Sequence, residues 1–346
     1  MQLRKSTAAA FLAAVTLTPV ASHRAGAADY YAGKTVTILV GTDETGGYSI
    51  YSRVIASYLG RYLPGTPAVI VRNMPGAGGS TAASYMTQQA PRDGTIIATI
   101  PANAMMDRLF GRKVQVDPTR FGFIGGAERG SRLCVTSARS EVKTLEDAMT
   151  RKAIIGTTAQ GSPTTDYANA IKRAAGAKFD VVYGYSGPGA LYYAMERGEI
   201  DGVCGIDWTA LKAQKPEAVR DKTMNIVVQF NENPDPELQA LGVPQPWSFI
   251  KDDLDRQAVL LMVNFQQAFG KAYIAPPQTP EDRLSTLRAA FAEVLQDKQF
   301  LADAQKQQLD VHIVKAGDVE ETVLKLYRAP QPVVERLKEL TGEQPK

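Results

Sequence analysis

Short apolar runs rich in β-branched residues alternate along the chain with longer segments of helical periodicity. The first run, residues 35–40, ends at Gly41, and a helix is predicted over 50–62 because its apolar side chains recur at helical spacing. These side chains are Ile50, Tyr51, Val54, Ile55, Tyr58, Leu59 and Tyr62. The Pro64-Gly65 pair ends this helix.

The same rhythm continues over the next two hundred residues or so. Strands are predicted at 68–72, 95–100, 133–136, 153–156, 180–183, 202–205 and 225–229. Helices are predicted between them at 81–89, 165–175 and 190–197. Thr144 and Asp147 have the spacing of a capping box and predict another helix start. From Leu254 onward the pattern is almost wholly helical.

Strands separated by helices predict parallel sheets with right-handed crossovers, and therefore an α/β fold. Two such units followed by a helical tail indicate two sheets with a cleft between them. A length of 346 residues also favours two domains over one. Because ligands of open α/β sheets bind beyond the carboxyl ends of the strands, we expect the functional residues in the loops that follow strands.

The first 28 residues have the pattern of a secretory signal. Arg4 and Lys5 precede an apolar stretch at 8–20 that is too short to span a bilayer, and Ala25-Gly26-Ala27 offers small residues at a cleavage site. An ordinary N-terminal helix is the alternative. We predict cleavage near Ala27 or Ala28 and export to the periplasm.

Charge and composition argue against several classes of function. The net charge of +3 comes from the leader, since residues 29–346 contain 36 basic and 36 acidic residues, so nucleic acid is not an expected partner. His23 and His312 are the two histidines of the sequence, which argues against a metal site built on several imidazoles. We expect neither a metal nor a cofactor.

Cys134 and Cys204 both lie in apolar, strand-like runs. In an oxidising compartment they can form a disulfide, or they can remain two buried thiols. Because two cysteines at this separation make no disulfide framework, the pattern favours two buried thiols.

Three loops rich in glycine and hydroxyl groups each follow a strand and precede a helix. They span residues 41–49, 73–80 and 156–165. Unpaired amides at a helix start, together with Ser and Thr hydroxyls, form a cradle for a carboxylate or phosphate. The sequence has no complete Gly-x-x-x-x-Gly-Lys-Ser/Thr phosphate loop and no complete dinucleotide fingerprint, which leaves a small carboxylate as the expected ligand.

Catalytic constellations are not evident in the sequence. His312 lies late in the chain, far from any strand-end loop, and Ser162 lacks the flanking glycine of a nucleophile elbow. Arg129 and Arg132 are either surface residues or partners for a ligand anion. Five aromatic residues of the second unit are candidates for a pocket wall or for the core. They are Tyr183, Tyr185, Tyr192, Tyr193 and Trp208.

The sequence resembles the extracytoplasmic solute receptors of the tripartite tricarboxylate transporter family, also called the Bug family. The two most specific matches are Asn-Met-Pro-Gly-Ala-Gly at 73–78 and Glu-Arg-Gly-Glu-Ile-Asp-Gly at 196–202. Other matching segments are 31–38, 46–48, 59–65, 90–95 and 275–277. The resemblance extends over nearly the whole chain after the leader.

The resemblance implies a two-lobed periplasmic binding protein of type II, the Venus flytrap fold, with a hinge and a ligand cleft between the lobes. On that basis lobe 1 comprises residues 29–130 and 248–346, and lobe 2 comprises 131–247. It also implies a small organic acid as ligand and, as partners, a large and a small membrane subunit of a tripartite transporter. We expect a monomer that is a receptor and not an enzyme. The alternatives are a receptor for a membrane sensor and an enzyme on the same fold.

The resemblance also implies ligand-binding residues. They are Gly46, Gly47, Tyr48 and Ser49 in the first loop, Ser162, Thr164 and Thr165 in the third, and in addition Asn103 and Asp207. Ser49 stands where the family commonly has Asp, a change that removes a partner for a ligand amine. The class of carboxylate therefore stays open.

Overall fold

The computed structural model describes residues 30–112 and 115–342, so the predicted leader lies outside the described residues. Two mixed sheets organise this part of the chain. The first contains β1 (Thr35–Val40), β2 (Ala68–Asn73), β3 (Ile96–Thr99), β4 (Gly122–Gly126), β10 (Ala272–Ala275) and β11 (Val314–Lys315). The second contains β5 (Arg132–Ser137), β6 (Ala153–Gly156), β7 (Phe179–Val182), β8 (Gly202–Asp207) and β9 (Met224–Phe230). We call the unit built on the first sheet lobe 1 and that on the second lobe 2.

Helices pack on both sheets. In chain order they are α1 (Gly47–Tyr62), α2 (Ser80–Gln88), α3 (Leu145–Thr150), α4 (Pro163–Ala170), α5 (Pro188–Arg197), α6 (Trp208–Gln214), α7 (Pro216–Arg220), α8 (Pro236–Ala240), α9 (Asp253–Phe269), α10 (Glu281–Val294), α11 (Lys298–Lys306), α12 (Ala316–Tyr327) and α13 (Gln331–Thr341). Across residues 30–112 and 115–342, none of the helices combines the length and the apolar character that crossing a membrane requires.

The predicted strand–helix alternation is confirmed, but the prediction of purely parallel sheets is wrong. The orders are β11-β4-β10-β3-β1-β2 and β7-β6-β8-β5-β9. β1 is parallel to β2 and β3, and β6 is parallel to β7 and β8. β10 and β5 are antiparallel to their neighbours. Both strands follow segments that carry the chain from one sheet to the other, and each runs in the direction opposite to that of its neighbours.

Three strands of the first sheet were not predicted from the sequence. β10 and β11 are short strands within the predicted helical tail, and β4 has the glycine-rich sequence Gly-Phe-Ile-Gly-Gly. The glycines of β4 have a packing role, because a Cβ on Gly122 would lie 2.5 Å from Leu284 Cδ2. A helix thus approaches this strand too closely for any larger residue.

The local predictions for two helices are confirmed. In α1 the predicted stripe faces the core, with Tyr51, Ile55 and Leu59 fully or almost fully buried. At α3 the Thr144 side chain accepts the Asp147 backbone N–H, and the Asp147 carboxylate accepts the Thr144 N–H, each at 3.1 Å. This reciprocal pair is the predicted capping box.

One apolar core is continuous between the lobes. It includes side chains of α9 and α13 from the tail and of α4 from lobe 2. The carboxyl end of α13 is bound by lobe 2, since Asn169 Nδ2 donates to Thr341 O at 3.0 Å and Gln160 Nε2 donates to Gly342 O at 3.1 Å. These bonds satisfy carbonyls that a helix end leaves unpaired. The tail therefore fastens the two lobes together.

The expectation of two buried thiols is wrong, because Cys134 and Cys204 form a disulfide. The two residues lie directly opposite each other on the antiparallel strands β5 and β8. Strand pairing brings their Cα atoms to 3.9 Å, a proximity that a sequence separation of 70 does not reveal.

Candidate functional site

A cavity of about 350 Å³ lies between the lobes. Its wall is formed by the loops that follow strands in both sheets, as predicted for an α/β fold. Lobe 1 contributes residues 41–43, 46–48 and 75–79, and lobe 2 contributes 158–159, 162–164, 185–188 and 205–207. The three glycine-rich loops identified in the sequence therefore meet around one space.

At least four of the described helices begin at this cavity. The residues that precede the first turns of α1, α2, α4 and α5 are Gly46, Gly79, Ser162 and Gly187. All four line the cavity wall. The first amides of a helix have no partner within it, and the helix dipole places partial positive charge there. The converging helix starts therefore favour an anionic ligand.

The first loop is shaped by its own side chains. Asp43 Oδ1 accepts the N–H groups of Thr45 at 3.1 Å and Gly46 at 3.0 Å, and the next residues, Gly47 and Tyr48, line the cavity. Ser49 is fully buried behind them and donates to the Asp43 carbonyl at 2.5 Å. Ser49 also accepts from Asn73 Nδ2 at 2.6 Å. Its role is thus to hold the first loop to the second.

The third loop presents three hydroxyl groups in a closed triangle. Thr158 Oγ1, Ser162 Oγ and Thr164 Oγ1 lie 2.7, 3.0 and 2.9 Å from one another. All three residues line the cavity at the start of α4. We call this set the hydroxyl triangle. Because each hydroxyl is both donor and acceptor, the set can reorient its protons toward a ligand oxygen.

The nine predicted site residues divide into two groups. Six line the cavity: Gly46, Gly47, Tyr48, Ser162, Thr164 and Asp207. Ser49, Thr165 and Asn103 are buried away from its wall. Thr165 Oγ1 donates to Ala159 O at 2.8 Å, and Asn103 Nδ2 donates to Gly78 O at 3.2 Å and to Gly161 O. These three side chains brace the loops that form the cavity wall.

Of the five candidate aromatic residues, Tyr185 and Tyr192 line the cavity. Tyr183 and Tyr193 are 52% and 57% exposed, so they belong neither to the pocket nor to the core. Trp208 is buried, and its Nε1 donates to Glu237 at 3.0 Å. The cavity therefore has a partly aromatic wall on the lobe 2 side.

A cluster of four buried charged side chains lies beside the cavity, between the two lobes. Lys271 Nζ lies 2.9 Å from Glu128 Oε2 and 3.1 Å from Asp207 Oδ2, and Arg132 Nη1 lies 3.8 Å from the same Asp207 oxygen. All four side chains are at most 8% exposed. Two cations and two anions balance one another, as buried charges must. Lys271 and Glu128 belong to lobe 1 segments, and Arg132 and Asp207 belong to lobe 2 strands.

Burial and neighbouring charges act in opposite directions on this cluster. Burial raises the pKa of the Asp207 carboxyl, but the charges of Lys271 and Arg132 outweigh it and hold the pKa below its usual range. Burial lowers the pKa of Lys271, but Asp207 and Glu128 together raise it well above normal. The pKa of Glu128 is raised, by burial first and then by Asp207. Asp207 and Lys271 thus form the fully ionised centre of the cluster.

Lys271, Glu128 and Thr158 were not among the predicted site residues. Thr158 lies in the third glycine-rich loop, which the sequence did identify, so its position in that loop could have marked it as a site residue. Lys271 and Glu128 lie next to strands β10 and β4, which the sequence did not reveal. Arg132 was recognised as a possible anion partner, and Arg129 beside it is exposed.

The two lobes touch across the cleft on several sides. Gln214 Nε2 in α6 donates to Thr45 O in the first loop at 3.1 Å. Thr209 Oγ1 donates to Asp310 Oδ2 at 2.8 Å. A Cβ on Gly47 would lie 3.3 Å from Ala210 Cβ, which shows how closely α1 and α6 approach. The two lobes are therefore in direct contact beside the cavity.

Removing the charge of Lys271, at the centre of the cluster, should destabilise the fold. We expect Lys271→Met to lower the free energy of unfolding by about 3–5 kcal/mol, because it leaves two buried carboxylates without their shared partner. Lys306→Met is the matched control, since Lys306 is 75% exposed and should change stability by less than about 0.5 kcal/mol. Urea unfolding followed by tryptophan fluorescence measures both. Equal stability of the two variants would contradict the role assigned to Lys271.

Comparison with known proteins shows which solved structures share this architecture. No protein-family model and no curated protein sequence matches the chain. Among solved structures, the chain is similar to MatC from Rhodopseudomonas palustris with bound malate, at 17% identity and a TM-score of 0.65 over 89% of this chain and 98% of that one. It is also similar to an R. palustris protein with adipate, at 19% identity and a TM-score of 0.67 over 89% and 97% of the two chains.

A third similar structure is the periplasmic binding protein BugD, at 16% identity and a TM-score of 0.68 over 91% of this chain and 99% of that one. The resemblance to Bug receptors that the sequence motifs indicated is therefore confirmed at the level of the fold. The chain has the two-lobed α/β fold of the periplasmic solute-binding proteins, with a cavity between the lobes.

Proposed function

We propose that the protein is a solute-binding receptor that captures a small organic carboxylate in the cavity between its lobes. The observation that carries this proposal is the convergence of four helix starts and the hydroxyl triangle on one enclosed space. Such a space supplies many N–H and O–H donors. A carboxylate is the small ligand that makes best use of them.

The similar structures support a carboxylate as the ligand class. MatC is described with malate and the R. palustris relative with adipate, so this fold holds organic acids in those proteins. A cavity of about 350 Å³ is large enough for an acid of that size. Gly46, Gly47, Tyr48, Ser162, Thr164 and Asp207 are the proposed ligand-binding residues, joined by Thr158. Ser49, Asn103 and Thr165 are proposed as positioning residues.

Binding should be coupled to motion of the lobes. We place their boundaries near residues 130 and 247, where the chain passes between the two sheets. Cross-cleft contacts such as Gln214 to Thr45 form in the closed state, which a ligand between the lobes would favour. The closed surface is then the form that a membrane partner recognises.

The proposed setting follows from the leader and the family resemblance. The leader would direct the protein to the periplasm, where a monomer delivers its ligand to the large and small membrane subunits of a tripartite tricarboxylate-type transporter.

The polar groups that line the cavity also favour a receptor over an enzyme. The cavity hydroxyls bond to one another and, within the described residues, to no histidine or carboxylate that would activate them.

The ligand class is tested by a thermal-shift panel on residues 28–346. The panel contains dicarboxylates, tricarboxylates, aromatic acids, amino acids, sugars and neutral amides. We expect at least one carboxylate, present at about 100 times its Kd, to raise the melting temperature by roughly 5 °C or more. A shift produced by sugars or neutral amides, with no shift from any acid, would contradict the proposal.

The hydroxyl triangle is tested with two neighbouring threonines of the same helix. Thr164→Val removes a hydroxyl on the cavity wall and should weaken binding of the carboxylate about tenfold. Thr165→Val is the matched control, because its hydroxyl points to Ala159 O behind the wall, and it should weaken binding no more than about threefold. Isothermal titration of both variants measures the difference. Equal losses, or a larger loss for Thr165→Val, would show that the triangle is not the contact surface.

A further inference from the structure

Arg132 is the first residue of β5, where the chain has just crossed into lobe 2. Its side chain lines the cavity and is only 8% exposed. A buried guanidinium remains charged at any physiological pH, and it is stable in a protein interior only when acceptors surround it. The acceptors around Arg132 therefore show whether its charge is paired within the chain.

Few acceptors reach this guanidinium. Nη1 donates to Gly205 O at a long 3.4 Å and lies 3.8 Å from Asp207 Oδ2. Nε is buried and has no hydrogen-bond partner among residues 30–112 and 115–342. A guanidinium carries five N–H donors, so most of those on Arg132 have no acceptor from the described chain.

Asp207 is not a full partner for Arg132, because its oxygens are already committed. Asp207 Oδ1 accepts the Ala210 N–H at 2.9 Å and caps α6, and Oδ2 lies closer to Lys271 than to Arg132. Lys271 in turn is paired with Glu128 as well. Within the charge cluster, Arg132 is thus the member that lacks close acceptors.

Arg132 also lies beside the hydroxyl triangle. Its hydrogen-bond partner Gly205 packs directly on the first turn of α4, since a Cβ at Gly205 would lie 2.3 Å from Pro163 O and 2.9 Å from Thr164 N. The guanidinium, the α4 start and the triangle therefore belong to the same wall of the cavity. Together they provide fixed positive charge next to neutral donors.

We infer that Arg132 is a specificity-determining residue whose guanidinium pairs with the ligand carboxylate at the α4 end of the cavity. The inference rests on the proposed function and deepens it. A receptor with neutral donors alone binds a carboxylate and its carboxamide with modest preference. A buried, under-partnered guanidinium makes the anionic charge a requirement, because a neutral ligand leaves the cation unpaired.

The test compares acids with their amides by isothermal titration. The probes are adipate beside adipamide, and the acid with the largest thermal shift in the panel beside its own carboxamide. The wild-type protein should bind the acid at least 100-fold more tightly than the amide. Arg132→Gln should weaken acid binding about 100-fold and change amide binding by less than threefold. Arg129→Gln, an exposed neighbour on the crossover, is the control and should match the wild type.

Two further variants keep the test decisive. Arg132→Lys retains the charge but loses the planar fork, and it should weaken acid binding about tenfold. If Arg132→Gln does not fold, the double variant R132Q/D207N replaces it, because it removes one charge of each sign from the cluster. Wild-type acid affinity in a folded Arg132 variant that lacks the charge would overturn this inference and leave the receptor proposal intact. Failure of every acid to bind the wild-type protein would overturn both.

Discussion

The arrangement of the whole molecule depends on the ion pair between Lys271 and Asp207. Lys271 stands immediately before β10 in lobe 1, and Asp207 ends β8 in lobe 2. Their contact at 3.1 Å is almost completely withdrawn from solvent, so separating them would leave each buried charge with one fewer partner of opposite sign. This ion pair therefore favours the contact between the two lobes beside the cavity.

Several features of the site follow from this pair. Asp207 also caps α6, which places Ala210 and Gln214 against the first loop of lobe 1. Because Lys271 lies closer to the Asp207 oxygen than Arg132 does, the Arg132 guanidinium is left with N–H donors that no described residue accepts. The four charges of the cluster sum to zero, but Arg132 lies farther from the Asp207 carboxylate than Lys271 does. Arg132 therefore adds positive charge to a cavity wall that otherwise consists of helix starts and hydroxyl groups.

The sequence was sufficient for features that depend on local patterns. The apolar stripe of α1, the Thr144–Asp147 capping box and the three glycine-rich loops all have short-range signals, and all are present in the structure. The glycine-rich β4 was missed because its composition is typical of a turn, whereas in the structure its Gly122 packs closely against Leu284.

Features that depend on long-range pairing were not predictable in the same way. The opposition of Cys134 and Cys204 across two strands, and the contact of Lys271 with Glu128, join residues far apart in the chain. The sequence identified the loops that line the cavity, but it did not determine which of their side chains face it. Thr164 and Thr165 are adjacent, yet one hydroxyl belongs to the triangle and the other bonds to Ala159 behind it.

The most direct measurement of the central claim is a crystal structure of the protein grown with its best-binding carboxylate. The account predicts density for the acid between the starts of α1 and α4, with one carboxylate within hydrogen-bonding distance of the hydroxyl triangle and of the Arg132 guanidinium. Density for the acid outside the interlobe cavity, or inside it with the carboxylate turned away from both helix starts, would contradict the account.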